Sequence, residues 1–171
     1  MKTRFTDRLG LEVPIVLPGM SWISKPELVA AVSEAGALGL LATGPLTPEE
    51  TRASIDEIRS RTDRPFGVGV TLMMPGATEN ARIAIEQRVP VVNFQLGRGE
   101  WLIEGVHAYG GVAMPTVTSV RHAKSAAAPI LNMRKFTVLM RGAQRQNEAG
   151  NPTTIDDISS PAIGLRRSSA V

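Results

Sequence analysis

The stretch VPIVLPGMSWISKPELVAAVSEAGALGLLATG, residues 13–44, decides the fold. It reads as a buried strand over Val13–Leu17, a tight turn carrying Gly19 and Met20, an amphipathic helix, a glycine return and a second strand over Leu38–Ala42. Ser24 stands three residues before Glu27 with Pro26 between them, which predicts a capping box with proline in the first helical turn. Leu28, Val29, Val32 and Ala35 form the expected buried face, and Gly36 the left-handed cap that ends the helix. The unit is strand, helix, strand. Its backbone-exposing turn lies where the first strand ends, which is the ligand-binding end of parallel α/β folds.

The pattern repeats downstream. Thr47, Pro48 and Glu50 predict a second capping box, opening a helix to about Arg61 with Ile55 and Ile58 inward. Phe66–Val70 reads as the third strand, Asn80 to about Gln87 as the third helix and Val91–Gln95 as the fourth strand. Trp101–Tyr109 reads as a short helix stopped by Gly110 and Gly111. Val112–Val117 then reads as a strand interrupted by Pro115, and Ser119–Ala127 as a fifth helix. Five repeats at a period of roughly 25 residues predict a parallel sheet with right-handed crossovers. Past residue 128 the rhythm fails. Lys135–Met140 reads as one further strand, and residues 142–171 as a polar, poorly ordered segment. The expected division is an α/β unit over 1–128 and a divergent tail over 129–171.

Composition removes several function classes. There is no cysteine among 171 residues, which excludes disulfides and thiolate metal sites and fits a reducing, cytoplasmic location. MKTRFTDRLG has no apolar core of a signal peptide, and no run of ~18 apolar residues predicts a membrane span. The net charge of +3 comes entirely from residues 129–171, because residues 1–128 hold 13 basic and 13 acidic side chains. With no clustered basic stripe and only 4% aromatic residues, nucleic-acid binding is not expected. His107 and His122 read as structural helix residues rather than bases or metal ligands, and no metal site is expected. Met73 and Met74 read as an apolar loop, Gly97-Arg98-Gly99 as a lone and unspecific glycine pair, and Arg166-Arg167 as a solvated pair.

Four blocks carry a family resemblance: PIVLPGMSWISKPELVAAVSEAGALGLLATG (residues 14–44), DRPFGVGV (63–70), VPVVNFQLG (89–97) and PTVTSVRHAKSA (115–126). In order and spacing the chain resembles the nitronate monooxygenases, formerly called 2-nitropropane dioxygenases, over about residues 3–127. The resemblance implies an FMN-dependent (β/α)8 barrel that oxidises alkyl nitronates with O2 to a carbonyl compound and nitrite. The first block is also similar to FMN-dependent enoyl-[acyl-carrier-protein] reductases. Gly19 and Met20 are implied to approach the flavin through backbone and thioether. Gly69 stands where family members usually carry Asn, Thr71 shares its strand face, and Gln95 ends the fourth strand near flavin or substrate. The family's Gly-His-x-Gly loop, which carries the catalytic base, and its late phosphate-binding glycine turns have no counterpart here, so no catalytic residue is assigned.

A whole (β/α)8 barrel takes about 250 residues. The expectation is therefore a partial (β/α)8 barrel of about five repeats with an irregular C-terminal tail. Its open strand edges and unopposed barrel-facing side chains predict homo-oligomerisation, rearrangement into a flat sandwich covered by the tail, or poor folding. The implied function is a truncated and impaired FMN-dependent nitronate monooxygenase. The alternatives are a non-catalytic barrel remnant that serves as an assembly partner, and a relative of the enoyl reductases.

Overall fold

The structure, a computed structural model, describes residues 2–123 together with the backbone of Met140 and Arg141. The second half of the expected fifth helix, the 128/129 division, most of the expected strand at 135–140, the 142–171 segment and the Arg166-Arg167 pair lie outside the described residues.

Five parallel strands follow one another in chain order: β1 (Val16–Leu17), β2 (Leu38–Ala42), β3 (Gly67–Thr71), β4 (Val91–Gln95) and β5 (Val112–Val117). A two-residue strand, β6 (Met140–Arg141), pairs parallel to β5. Helices α2 (Pro26–Glu34), α3 (Pro48–Arg61), α4 (Ala77–Glu86) and α5 (Glu100–Ala108) make the crossovers, and residues 120–123 begin another helical turn. The sheet curls as half of a (β/α)8 barrel, which is the expected fold class.

Strand side chains alternate between two faces. Leu41, Val68, Val70, Val92, Phe94 and Ala113 point outward and pack with Val29, Ile55, Ile58, Ala81, Leu102 and Val106 of the helices. Leu38, Leu40, Val91, Val112 and Met114 point inward as a second cluster. That inner cluster includes Leu9 and Leu11, with Phe5 packed against it, around a helix that the sequence reading missed, α1 (Arg4–Leu9). Thr3 and Thr6 form its reciprocal capping box, with Thr6 N donating to Thr3 Oγ1 at 3.1 Å and Thr3 N to Thr6 Oγ1 at 2.8 Å. Six residues are too few to show a helical period. The helix floors the barrel-facing side, so the expectation that those side chains lack an opposite wall is corrected at the lower end.

Other boundaries also differ from the sequence reading, β3 and α5 by one residue each (Gly67–Thr71 against Phe66–Val70, Glu100–Ala108 against Trp101–Tyr109). The first strand shrinks from Val13–Leu17 to Val16–Leu17, because Glu12 N and Val13 N both donate to Gly36 O and Pro14 has no N–H to offer a neighbour. The Ser24–Glu27 capping box does not form. Lys25 is the N-cap and makes no side-chain cap bond, since Ser24 is engaged elsewhere. Helix α4 begins at Ala77 rather than Asn80, after a left-handed Gly76. The buried Asn80 instead donates through Nδ2 to Thr43 O (3.0 Å) and Leu46 O (2.9 Å), tying α4 to the loop after β2. The Thr47–Glu50 box forms as expected, with Glu50 N donating to Thr47 Oγ1 at 3.2 Å.

The buried stripe of α2 is Val29, Ala30 and Ser33, so of the expected face Val29 is buried and Val32 half-buried, while Leu28 and Ala35 are exposed. The cause is Gly39 on β2. A Cβ there would lie 2.5 Å from Val29 O and 3.0 Å from Val29 Cα, so the helix backbone rests directly on the strand at Val29. Gly39→Ala must push backbone against backbone, and a loss of about 1–3 kcal/mol is expected in urea unfolding. Tyr109, the single tyrosine of the chain, closes the turn between α5 and β5 by donating to Val89 O at 2.8 Å. Burial pushes its phenol up to about 12. The folded value exceeds the unfolded value of about 10, so the stability linked to this group is full below that pH and is lost as pH rises towards 12. Phenolate absorbance should therefore appear late in the folded protein and early in urea.

Candidate functional site

The loops after β1, β3 and β4 open at one end of the sheet. The turn after β1 is closed by Ser24, whose buried Oγ donates to Pro18 O (2.7 Å) and accepts from Met20 N (3.1 Å). Gly19 in that turn approaches two other strands. A Cβ on it would lie 3.4 Å from Leu41 O and 3.5 Å from both Ala42 Cα and Gly69 Cα. Thr43 continues the junction, its N and Oγ1 both donating to Gly69 O at 3.2 and 3.0 Å. The backbones after β1 and β3 thus meet across the end of β2, and no side chain of Gly19 or Gly69 intervenes.

Register places Gly69 beside Asn93 and Thr71 beside Gln95. Gln95 Nε2 donates to Thr71 Oγ1 at 3.1 Å. Asn93 Nδ2 donates to Met114 O (2.7 Å) and to Thr116 Oγ1 (2.8 Å). The inner wall is therefore apolar below and polar at the mouth. Of the sequence candidates, Gly19, Gly69, Thr71 and Gln95 converge on this mouth, while Met20 sits on the loop above with its side chain partly exposed. Asn93, Thr116 and Ser24 were not assigned a place in it by the sequence reading. The signal for Asn93 was present, since a lone amide two residues before Gln95 in VVNFQ must share its face.

An apolar rim surrounds the polar band. Trp22 is 73% exposed, Met73 75% and Leu96 57%. Trp22 (φ 68°) and Leu96 (φ 52°) hold left-handed backbone conformations that bulky residues rarely adopt. The loops of Met73 and Leu96 are joined by Leu72 N donating to Gln95 O at 2.9 Å. Beside them, a cleft of about 270 Å³ lies between β4 and β5, lined among others by Leu96, Arg98, Thr116 and His122. His122 belongs to the helical turn after β5, whereas His107 is buried in α5. Gly97-Arg98-Gly99 leads into the start of α5, but that helix end already carries a carboxylate. Glu100 is held below its ordinary carboxyl value, first by a backbone hydrogen bond and then by Arg98, which disfavours a second anion there.

A protein-family model described as Nitronate monooxygenase matches residues 2–87. A (3aS,4S,5R,7aS)-5-hydroxy-7a-methyl-1-oxo-octahydro-1H-indene-4-carboxyl-CoA dehydrogenase of Mycobacterium tuberculosis is 34% identical over 128 residues, 75% of this chain and 36% of the relative. A nitronate monooxygenase of Pseudomonas aeruginosa is 44% identical over 82 residues, 48% of this chain and 23% of that protein. Among solved structures, FabK from Thermotoga maritima superposes with a TM-score of 0.73 at 40% identity, covering 75% of this chain and 42% of that one. The chain thus spans less than half the length of each of these proteins.

The Ser24 clamp generates a test. Ser24→Ala leaves Met20 N–H and Pro18 C=O without their partner, so a stability loss of about 1–3 kcal/mol is expected. Amide exchange at Met20 should speed up more than exchange in the β3 and β4 ladder.

Proposed function

The chain belongs to the nitronate monooxygenase family, and we propose that its barrel mouth seats the ring of FMN for the oxidation of an alkyl nitronate by O2 to a carbonyl compound and nitrite. The observation that carries this reading is the side-chain-free junction of Gly19 and Gly69, both partly exposed, which bares main chain at the mouth for a planar ring to lie on. The residues present fit the ring end of the cofactor. Gly19 and Gly69 form the bare wall, Thr71 and Gln95 form a bonded polar pair beside it, and Met20 offers a polarisable thioether from the loop above. For the phosphate end, the described residues offer no comparable cradle.

FMN, when bound, supplies the electron acceptor for the substrate and the donor for O2. The chain's own residues hold and orient. An alkyl nitronate arrives already deprotonated, so a wall of glycine, Thr71 and Gln95 has to position it rather than ionise it. The exposed Trp22, Met73 and Leu96, on the loops after β1, β3 and β4, offer apolar surface to a bound substrate. Neither histidine takes a catalytic role in this reading, since His107 is enclosed in α5 and His122 faces the neighbouring cleft.

A second reading is favoured by the FabK superposition: a flavin-dependent enoyl-[acyl-carrier-protein] reductase site on the same half-barrel. A third follows from β1, which among the described residues pairs with β2 on one side and presents its other edge to another chain. In that reading the protein is a non-catalytic assembly partner, and a homo-oligomer is its simplest form.

Titration of the purified full chain with FMN tests the proposal, followed by assays of nitrite release from a nitronate and of nicotinamide-dependent reduction of an enoyl thioester. Flavin that co-elutes with protein, together with slow nitrite release, is the expected result. Gly69→Val should abolish flavin binding, and Gly69→Ala, whose Cβ meets only ordinary contacts, should weaken it while leaving the thermal midpoint within a few degrees. Flavin binding unchanged by Gly69→Val would sink the assignment of this wall. Enoyl reduction without nitronate turnover would favour the second reading. A colourless multimer on gel filtration would favour the third.

A further inference from the structure

The inner wall holds one buried amide, Asn93, whose orientation is set by its surroundings. It is 8% exposed, in the middle of β4. Its nearest neighbours on β5 are Met114 O, which can only accept, and Thr116 Oγ1. The group facing Met114 O must be the NH2, so the assignment of nitrogen and oxygen is not arbitrary here. Both amide hydrogens are committed on the β5 side. The carbonyl oxygen is thereby turned toward β3, where the adjacent residue in register is Gly69. Oδ1 lies 3.7 Å from the position that a Cβ on Gly69 would occupy. A side chain at 69 would crowd this oxygen, and glycine supplies none.

We infer that Asn93 is a cofactor-contacting residue whose Oδ1 accepts a hydrogen bond from the N3–H of the flavin ring. The inference rests on the flavin reading of the preceding subsection and deepens it. A fixed acceptor next to a bare glycine suits a planar heterocycle that presents an N–H at its edge, and the pyrimidine edge of an isoalloxazine has one. A carbonyl oxygen has two lone pairs, so this contact is compatible with any other bond the oxygen makes. Thr116 and Met114 then act as positioning groups, because they hold the amide in this orientation through its NH2.

The test compares FMN with 3-methyl-FMN, which lacks the N–H, and reads the dissociation constant from quenching of flavin fluorescence in the full chain. Wild-type protein should bind FMN about tenfold more tightly than 3-methyl-FMN, the value of one buried hydrogen bond. Asn93→Ser should weaken FMN binding and bring the two flavins within about twofold of each other. The wild-type comparison needs no substitution, so it decides the question even where the variant folds poorly. Equal affinity of wild-type protein for the two flavins would overturn the role of Asn93 and leave the flavin reading standing. Failure to bind either flavin would overturn both. A selectivity that persists in a folded Asn93→Ser variant would place the N3–H acceptor on another residue.

Discussion

A parallel strand pair cannot be closed by a tight turn, and this constraint organises the molecule. Each strand must be followed by a crossover long enough to return the chain to the starting end, and an amphipathic helix is the compact solution. Every loop that leaves a strand therefore opens on the same end of the sheet. Gly19, the Gly69–Thr71 segment of β3 and Gln95 are far apart in sequence and adjacent in space, because parallel strands bring their C-terminal ends together. The helices bury one strand face in an apolar layer built on Val68, Val92, Ile55, Ile58 and Leu102. The other face is left to be shaped for a ligand.

That inner face changes character along its height. Leu38, Leu40, Val91 and Val112 are enclosed with Leu9 and Leu11 around α1, so the lower part is a packed core. Further along β3, β4 and β5 the same face carries Thr71, Asn93, Gln95 and Thr116, bonded as Asn93–Thr116 and Gln95–Thr71 across neighbouring strands. Buried polar groups persist only where their hydrogen bonds are satisfied. These pairs meet that condition while keeping polar atoms at the mouth. The strained backbone of Trp22 and Leu96 stands immediately outside this band, on the loops rather than in the framework. Rigid strands with costly loop conformations at one end are the arrangement expected of a binding site.

Much of the framework was legible because it depends on local chemistry. Val91–Gln95 and Val112–Val117 were read to the residue, since an apolar run between glycine or proline punctuation has few other solutions. Thr47 and Glu50 capped α3 as their spacing required. Ser24 has the same capping chemistry and the right spacing, yet it serves the preceding turn. Two partners in one loop, Pro18 O and Met20 N, outcompete a single helix N–H. The facing of α2 was legible only in part: Val29 was read as buried, but Ala30 and Ser33 turn inward in place of Leu28 and Ala35, and no periodicity within the helix reveals the Gly39 backbone beneath it.

The sequence alone determined the alternation of strands and helices, the parallel sheet and the end on which the loops after the strands open, because these follow from periodicity, caps and crossover length. It also marked Gly19, Met20 and Gln95 through their places at strand ends, and Gly69 and Thr71 through the family resemblance. Only the tertiary structure decided that α1 floors the barrel, that Ser24 clamps a turn, and that Asn93 faces Gly69 with its amide held by β5. Those outcomes depend on which groups meet across strands and loops distant in the chain, and a hydrogen bond or a close backbone contact exists only once both partners are in place.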